Sequence, residues 1–304
     1  MPASFDGNDG NDGNSANSGG GGNATSISAG WFFADRVNLP FVTELDTGPN
    51  AAALTTPTIG RLPIINAPKF PDRNWSAEWY SWLALTDFVA TGWGAMNPST
   101  QAGWPAWVPF PAPANWTALN AGTQVPAEIG HLVTAAQNER ADALGEILSQ
   151  ANEFISYFLN LMTAGPGAYP QTTKLLSIAS LVGTFVAMYY KAQYARPRPS
   201  ELCPALLPPI AVPGHASFPS GHSTQAHLMA LCLNDMLNGL PQQSTMVDDL
   251  WTLADRIARN REIAGLHYES DTAAGVAIAR SILPLLTSTG RYQTTRDAAR
   301  LEWQ

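Results

Sequence analysis

Charge is scarce in this sequence: only 13% of its 304 residues are Asp, Glu, Lys or Arg, and they leave a net charge of −8. So acidic a chain offers no broad attraction to nucleic acid or anionic lipid, and any anion site must be local. Cysteine is nearly absent. Cys203 and Cys232 are too few and too loosely spaced for a zinc framework or a disulfide scaffold. Long hydrophobic runs are missing too. The longest, Leu175 to Tyr190, is broken by Ser177, Ser180, Gly183 and Thr184. It stops short of the ~20 residues a bilayer span needs, which predicts a buried core helix. The N-terminus has neither a basic n-region nor an apolar h-region, so no secretory signal is expected. Together these absences predict a soluble chain with no membrane span, cytoplasmic or exported by a route that leaves no mark in the sequence.

The residues that are present fall into three regions. Residues 1–28 are rich in Gly, Asn, Asp and Ser, cannot bury enough apolar surface to order themselves, and read as a flexible tail. Residues 29–125 are dense in Pro and Trp and read as irregular wrapping with short helices, in one domain with the helical body after them. Their tryptophans (Trp75, Trp79, Trp82, Trp93, Trp104, Trp107, Trp116) pack on the core, shape a cleft mouth or form a subunit contact, which leaves a homo-oligomer open. Residues 126–304 carry apolar positions at spacings of three and four, with helices expected over about 127–163, 172–195, 220–237, 245–260 and 267–286. Strand-like alternation is scarce, so the fold class is an all-α bundle.

Chemistry concentrates in three clusters. In "KAQYARPRPS", an apolar helix runs into Lys191, Arg196 and Arg198, with Pro197 and Pro199 ending the helix and extending the arginines. Guanidinium forks and a mobile ammonium suit a tetrahedral oxyanion, although cations at a helix C-terminus also simply complement the dipole. In "FPSGHSTQAH", Ser220 is a plausible N-cap and Gly221 leaves a backbone N–H open at the positive end of a helix. His222 in the first turn is placed to move a proton beside an anion there, and His227 reads as structural. In "NREIAGLHYESDTAAG", His267 and Asp271 are four apart, so the carboxylate orients the imidazole. Arg261 is out of phase on a straight helix unless the chain breaks at Gly265.

The order Lys191-x6-Arg198-Pro199, Pro219-Ser220-Gly221-His222, Arg261-x5-His267-x3-Asp271 resembles the type 2 phosphatidic acid phosphatase and vanadium haloperoxidase superfamily, which includes the bacterial class A acid phosphatases. The resemblance implies the helical bundle of that superfamily, and an oxyanion held by Lys191, Arg198, Arg261, Ser220 and Gly221. It implies that His267 is either a nucleophile forming a phosphohistidine or the ligand of vanadium, oriented by Asp271. It makes His222 the general acid of a phosphatase, or the proton-handling group of a haloperoxidase. Asn260 stands where the phosphatase pattern usually has serine, and Arg196 is an extra cation without an assigned role.

His215, upstream of His222, resembles the second histidine that vanadium bromoperoxidases carry at this place. On that basis the expected activity is a vanadate-dependent haloperoxidase, an oxidoreductase acting on halide and hydrogen peroxide with vanadate on His267 and with His215 as a fourth catalytic residue. The alternative is a soluble acid phosphatase that hydrolyses phosphomonoesters and requires no cofactor. The class A-like first motif and the short spacing from His222 to His267 favour the alternative.

Overall fold

The structure is a computed structural model that describes residues 58–59, 62–63, 75–100, 105, 108 and 124–304. The expected tail 1–28 and most of the wrapping region, including Trp104, Trp107 and Trp116, lie outside the described residues. Thr58–Ile59 (β1) and Leu62–Pro63 (β2) pair antiparallel. Among the described residues all other regular structure is helical, as the periodicity requires, and Ser76–Gln304 form one compact unit.

Ala77–Val89 is α1, capped by the Ser76 hydroxyl, which accepts from Trp79 N. The stretch expected to be helical beyond Pro126 divides into α2 (Gln124–Asn138), α3 (Arg140–Gln150) and α4 (Ile155–Leu161). Helix α5 (Pro170–Tyr194) begins on a proline, whose missing N–H costs nothing in a first turn, and ends where Ala195 takes a left-handed conformation. A four-residue turn, α6 (Pro199–Leu202), precedes α7 (Gly221–Leu237), α8 (Gln243–Ile263), α9 (Glu269–Thr287) and α10 (Gly290–Leu301). The last three expected helices thus match to within a few residues.

Helix α7 is the axis of the bundle, packed against α5, α8 and α9 at once. All but four of its residues are buried. Two close approaches make this possible. A Cβ at Gly183 in α5 would come within 3.0 Å of Gln225 Cα, and one at Gly275 in α9 would meet the Ser223 side chain at 2.8 Å and Ser220 O at 3.0 Å. Helix α1 and helix α10 both lie on α5. Trp93 is buried between Phe88, Phe185 and Tyr189, whereas Trp79 and Trp82 stand exposed.

The structure corrects the expectation that no segment is fit to span a membrane. The polar residues that interrupt the apolar run are satisfied inside the helix: Ser177 donates to Thr173 O and Thr184 to Ser180 O. The helix, expected over 172–195, runs through 25 residues, about 37 Å at the usual rise. Pro170–Leu202 is long and apolar enough to cross a bilayer, with 67% of its most apolar window buried inside the fold.

Candidate active site

Three connections converge on the N-terminal end of α7. The first leaves the last turn of α5. Lys191 is buried there, and its Nζ donates to the carbonyls of Ala216 (2.8 Å) and Ser217 (2.9 Å). Beyond the left-handed Ala195, Arg198 donates from Nε to His215 O (3.0 Å) and from Nη1 to Leu266 O (2.9 Å). The same Nη1 lies 3.1 Å from His267 Nε2, and Nη2 lies 2.9 Å from His215 Nδ1. Arg198 thus gathers the other two connections around itself.

The second connection brings in the start of α7. The Ser220 hydroxyl accepts from Ser223 N (3.3 Å) as the expected N-cap, and Ser220 N donates to Asp271 O (3.0 Å). Gly221 borders the inner end of the cavity, whereas Ser220 lies beneath it with its N–H and hydroxyl already engaged. His222 Nε2 meets the carbonyl of Gln150 at 3.0 Å. A carbonyl only accepts, so Nε2 carries the proton and Nδ1 is the second site. Burial, then Arg261, push the His222 pKa well below the ordinary value.

The third connection is the turn between α8 and α9. Helix α8 ends at Ile263, Gly265 takes φ +77, and the chain reverses into the cap of α9. This is the break needed to bring Arg261 round, and Arg261 Nη2 donates to Ile147 O at 2.9 Å. His267 lies just outside α9 and not on its face as the spacing implied. It meets Asp271 because Asp271 is a first-turn residue whose Oδ2 also accepts from Tyr268 N (3.1 Å), with His267 Nδ1 at 3.2 Å. Asp271 is fully buried. Burial raises its pKa, but Arg196 and the bond from His267 outweigh that and hold it well below the carboxylate range. Burial and Arg198 push His267 well down, against the bond to Asp271. The imidazole is therefore neutral, with Nδ1–H on the carboxylate and a lone pair at Nε2.

A cavity of about 360 Å³ opens above these groups. Arg261, His222 and His267 line its floor, and its walls are mostly apolar, Leu148, Ile210, Val212 and Leu266 among them, with Asn152 the polar exception. A smaller recess beneath shares His222 and His267 and reaches Lys191, His215 and Gly221. The fold thus brings Lys191, Gly221, His222, Arg261, His267 and His215 around one space, with Arg198 against His267 and His215 and with Asp271 and Ser220 behind it. Cationic donors flanking a neutral imidazole suit a phosphoryl group under attack at Nε2.

Sequence reasoning missed four supports. Arg196 donates to Asp271 Oδ1 (2.6 Å) and to Glu128 Oε2 (3.0 Å). Glu128, on α2, also accepts from Ser270 N (2.7 Å). Ser217 donates to Asp271 Oδ2, and Gln150 offers the carbonyl that holds His222. Only Arg196 carried a signal, as a cation surplus to the motif. Asn260, the departure from the pattern, bonds Gln150 Oε1 and Glu146 Oε2 (both 2.9 Å), and so braces the residue that holds His222. His227 is structural as expected, between Ser223 O and Asp255.

Residues 172–294 match the model of the PAP2 superfamily. Over that segment the chain is similar to the PAP2 superfamily. Decaprenylphosphoryl-5-phosphoribose phosphatase from two strains of Mycobacterium tuberculosis, CDC 1551 / Oshkosh and ATCC 25618 / H37Rv, is 28% identical over 167 residues, 52% of this chain and 89% of the relative. A solved structure, the first transmembrane PAP2 type phosphatidylglycerolphosphate phosphatase from Bacillus subtilis, aligns at a TM-score of 0.43 and 15% identity, over 68% of this chain and 94% of that one.

These findings overturn the haloperoxidase expectation and the oxidoreductase class that went with it: the matching relatives are phosphatases, and vanadate as a cofactor loses its support. His215, the residue that motivated it, is engaged otherwise. Its carbonyl and Nδ1 both meet the Arg198 guanidinium, and its pKa is pushed down to about 4 by burial, Lys191 and Arg198. A ring so held is a neutral brace for a cation. The expectation of a soluble chain with no membrane span is corrected as well, since α5 has the length and apolarity of a span.

Proposed function

We propose that the chain is a PAP2-type phosphatase that hydrolyses phosphate monoesters through a phosphohistidine at His267, with a lipid-linked phosphate as substrate. The observation that carries this reading is the state of His267: neutral, its Nδ1 on Asp271, its Nε2 3.1 Å from Arg198 and facing the cavity. Lys191, Arg198, Arg261 and the Gly221 N–H hold the three phosphoryl oxygens. His267 Nε2 attacks phosphorus, the bond to the leaving oxygen breaks, and that oxygen takes a proton from His222 Nδ1. Water then attacks the phosphohistidine, gives its proton to His222, and inorganic phosphate leaves with His267 restored. The reaction requires no cofactor.

The lipid-linked substrate is supported by the cavity's apolar walls, which run from the cationic floor to the exposed Leu148 and Val212, and by the decaprenyl substrate in the relative's name. The test is release of inorganic phosphate by the purified chain from p-nitrophenyl phosphate and from a prenyl phosphate in detergent micelles. Both should be hydrolysed, the prenyl ester with the higher kcat/KM, and orthovanadate should inhibit. No release from either would sink the reading, and equal kcat/KM values would remove the lipid preference.

A further inference from the structure

We propose that Arg196, anchored by Glu128, is a positioning residue: it fixes the Asp271 carboxylate so that one oxygen is left to hold His267 Nδ1–H and aim Nε2 at phosphorus. The inference rests on the phosphatase reading for its kinetic consequences, and on geometry for the rest.

Arg196 is 1% exposed and lines neither cavity. Its fork is spent on the groups behind His267. Nη1 donates to Asp271 Oδ1 (2.6 Å) and Ser270 Oγ (2.7 Å), Nη2 donates to Glu128 Oε2 (3.0 Å), and the guanidinium lies 3.7 Å from the Tyr268 ring centre. A carboxylate has two oxygens, and the partners divide between them. Oδ1 is committed to Arg196, while Oδ2 takes Ser217 Oγ, Tyr268 N and His267 Nδ1. With Oδ1 tied, the carboxylate has no freedom to turn its plane away from the imidazole.

Glu128 does for Arg196 what Arg196 does for Asp271. Its Oε1 is held by Ser270 N and its Oε2 accepts from Nη2, so a carboxylate from α2, itself tied to α9, fixes the second arm of the guanidinium. A planar, permanently charged fork between two fixed carboxylates has one orientation available, which a lysine does not reproduce. The charged and titratable groups around Asp271 are Arg196 and then Glu128 on one side, His267 and Tyr268 in its own turn, and Arg198 beyond His267. Removing Arg196 leaves His267 as the nearest cation-forming group to a buried carboxylate, which raises the imidazole's affinity for a proton.

The test compares Arg196→Met, Arg196→Lys and Glu128→Gln with the wild type. It reads kcat, KM, inhibition by inorganic phosphate, the pH profile, and the His267 Nδ1–H proton resonance, assigned by its loss in His267→Gln. Arg196→Met should lower kcat on the order of 10–100-fold, with KM and phosphate inhibition nearly unchanged. The acid limb should move to higher pH and the resonance should shift or vanish. Arg196→Lys should restore part of kcat, and Glu128→Gln should lower kcat less than Arg196→Met does. A folded Arg196→Met with wild-type kcat, acid limb and resonance would overturn the proposal. If that variant does not fold, a folded Glu128→Gln with wild-type kcat and resonance overturns it instead. Should the wild type release no phosphate, the phosphatase reading fails, while the resonance and its loss in Arg196→Met still decide the positioning role.

Discussion

Three histidines surround the cavity, His215, His222 and His267, and burial with neighbouring cations lowers the proton affinity of each. The folded chain therefore takes up fewer protons than the unfolded chain below the ordinary histidine pKa of about 6.5. Stability is greatest above that value and is lost as pH falls through it. Melting temperature should drop between pH 7 and pH 5, and His215→Gln should reduce the drop; an equal slope in wild type and variant would assign the loss to other groups. Asp271 works in the same sense at lower pH, since its depressed pKa stabilises the fold above about 4 and ceases to as acid approaches its own value.

Under the proposed phosphatase mechanism, activity makes the opposite demand on one of these rings. His267 would have to be neutral to attack, which its lowered pKa allows even in mild acid, whereas His222 would have to carry a proton to give to the leaving oxygen. Hydrolysis is thus expected to peak below about pH 6.5 and to fall as pH rises. A plateau extending to pH 8 would remove His222 as the acid. His222→Gln should cost on the order of 100-fold or more with a prenyl or alkyl phosphate and far less with p-nitrophenyl phosphate, whose leaving group needs no proton. Equal losses on both would point to a binding role for His222.

At the scale of elements, the site depends on how closely α9 approaches α7. Gly275 allows it, and Gly275→Ala would bring a methyl to 2.8 Å from Ser223 and 3.0 Å from Ser220 O. The expected cost is ~1–3 kcal/mol, read by denaturant unfolding, with lost activity because Ser220 caps the helix that carries His222. Arg140 is the second tie: from the start of α3 it donates to Ile263 O, Leu206 O and Leu207 O, closing the C-terminal end of α8 where the chain turns toward His267. At the far end, Glu302 accepts from Gln171 N, Thr172 N and Thr172 Oγ1 and caps α5. Glu302→Ala should cost ~1–2 kcal/mol without changing kcat, because α5 delivers Lys191 from its opposite end.

At the scale of the molecule, a cationic floor beneath mostly apolar walls and a 25-residue apolar helix fit the proposed lipid-linked phosphate. The chain, expressed with detergent withheld, is expected in the membrane fraction, and quantitative recovery in the soluble fraction would overturn that expectation. The sequence by itself determined the all-α class and the three motifs in their order, and with them the likeness to the PAP2 superfamily, because these depend on local spacing: cations at the end of α5, a capping serine and histidine opening α7, and a glycine break before His267. Only the tertiary structure decided what His215 and Arg196 do. His215 resembled a peroxidase residue in sequence and packs as a brace on Arg198; Arg196 seemed surplus and ties Asp271 to Glu128, 68 residues away on α2. Such partners meet through the packing of separate helices, and no local spacing encodes which of two nearby cations faces the phosphate and which one faces a buried carboxylate.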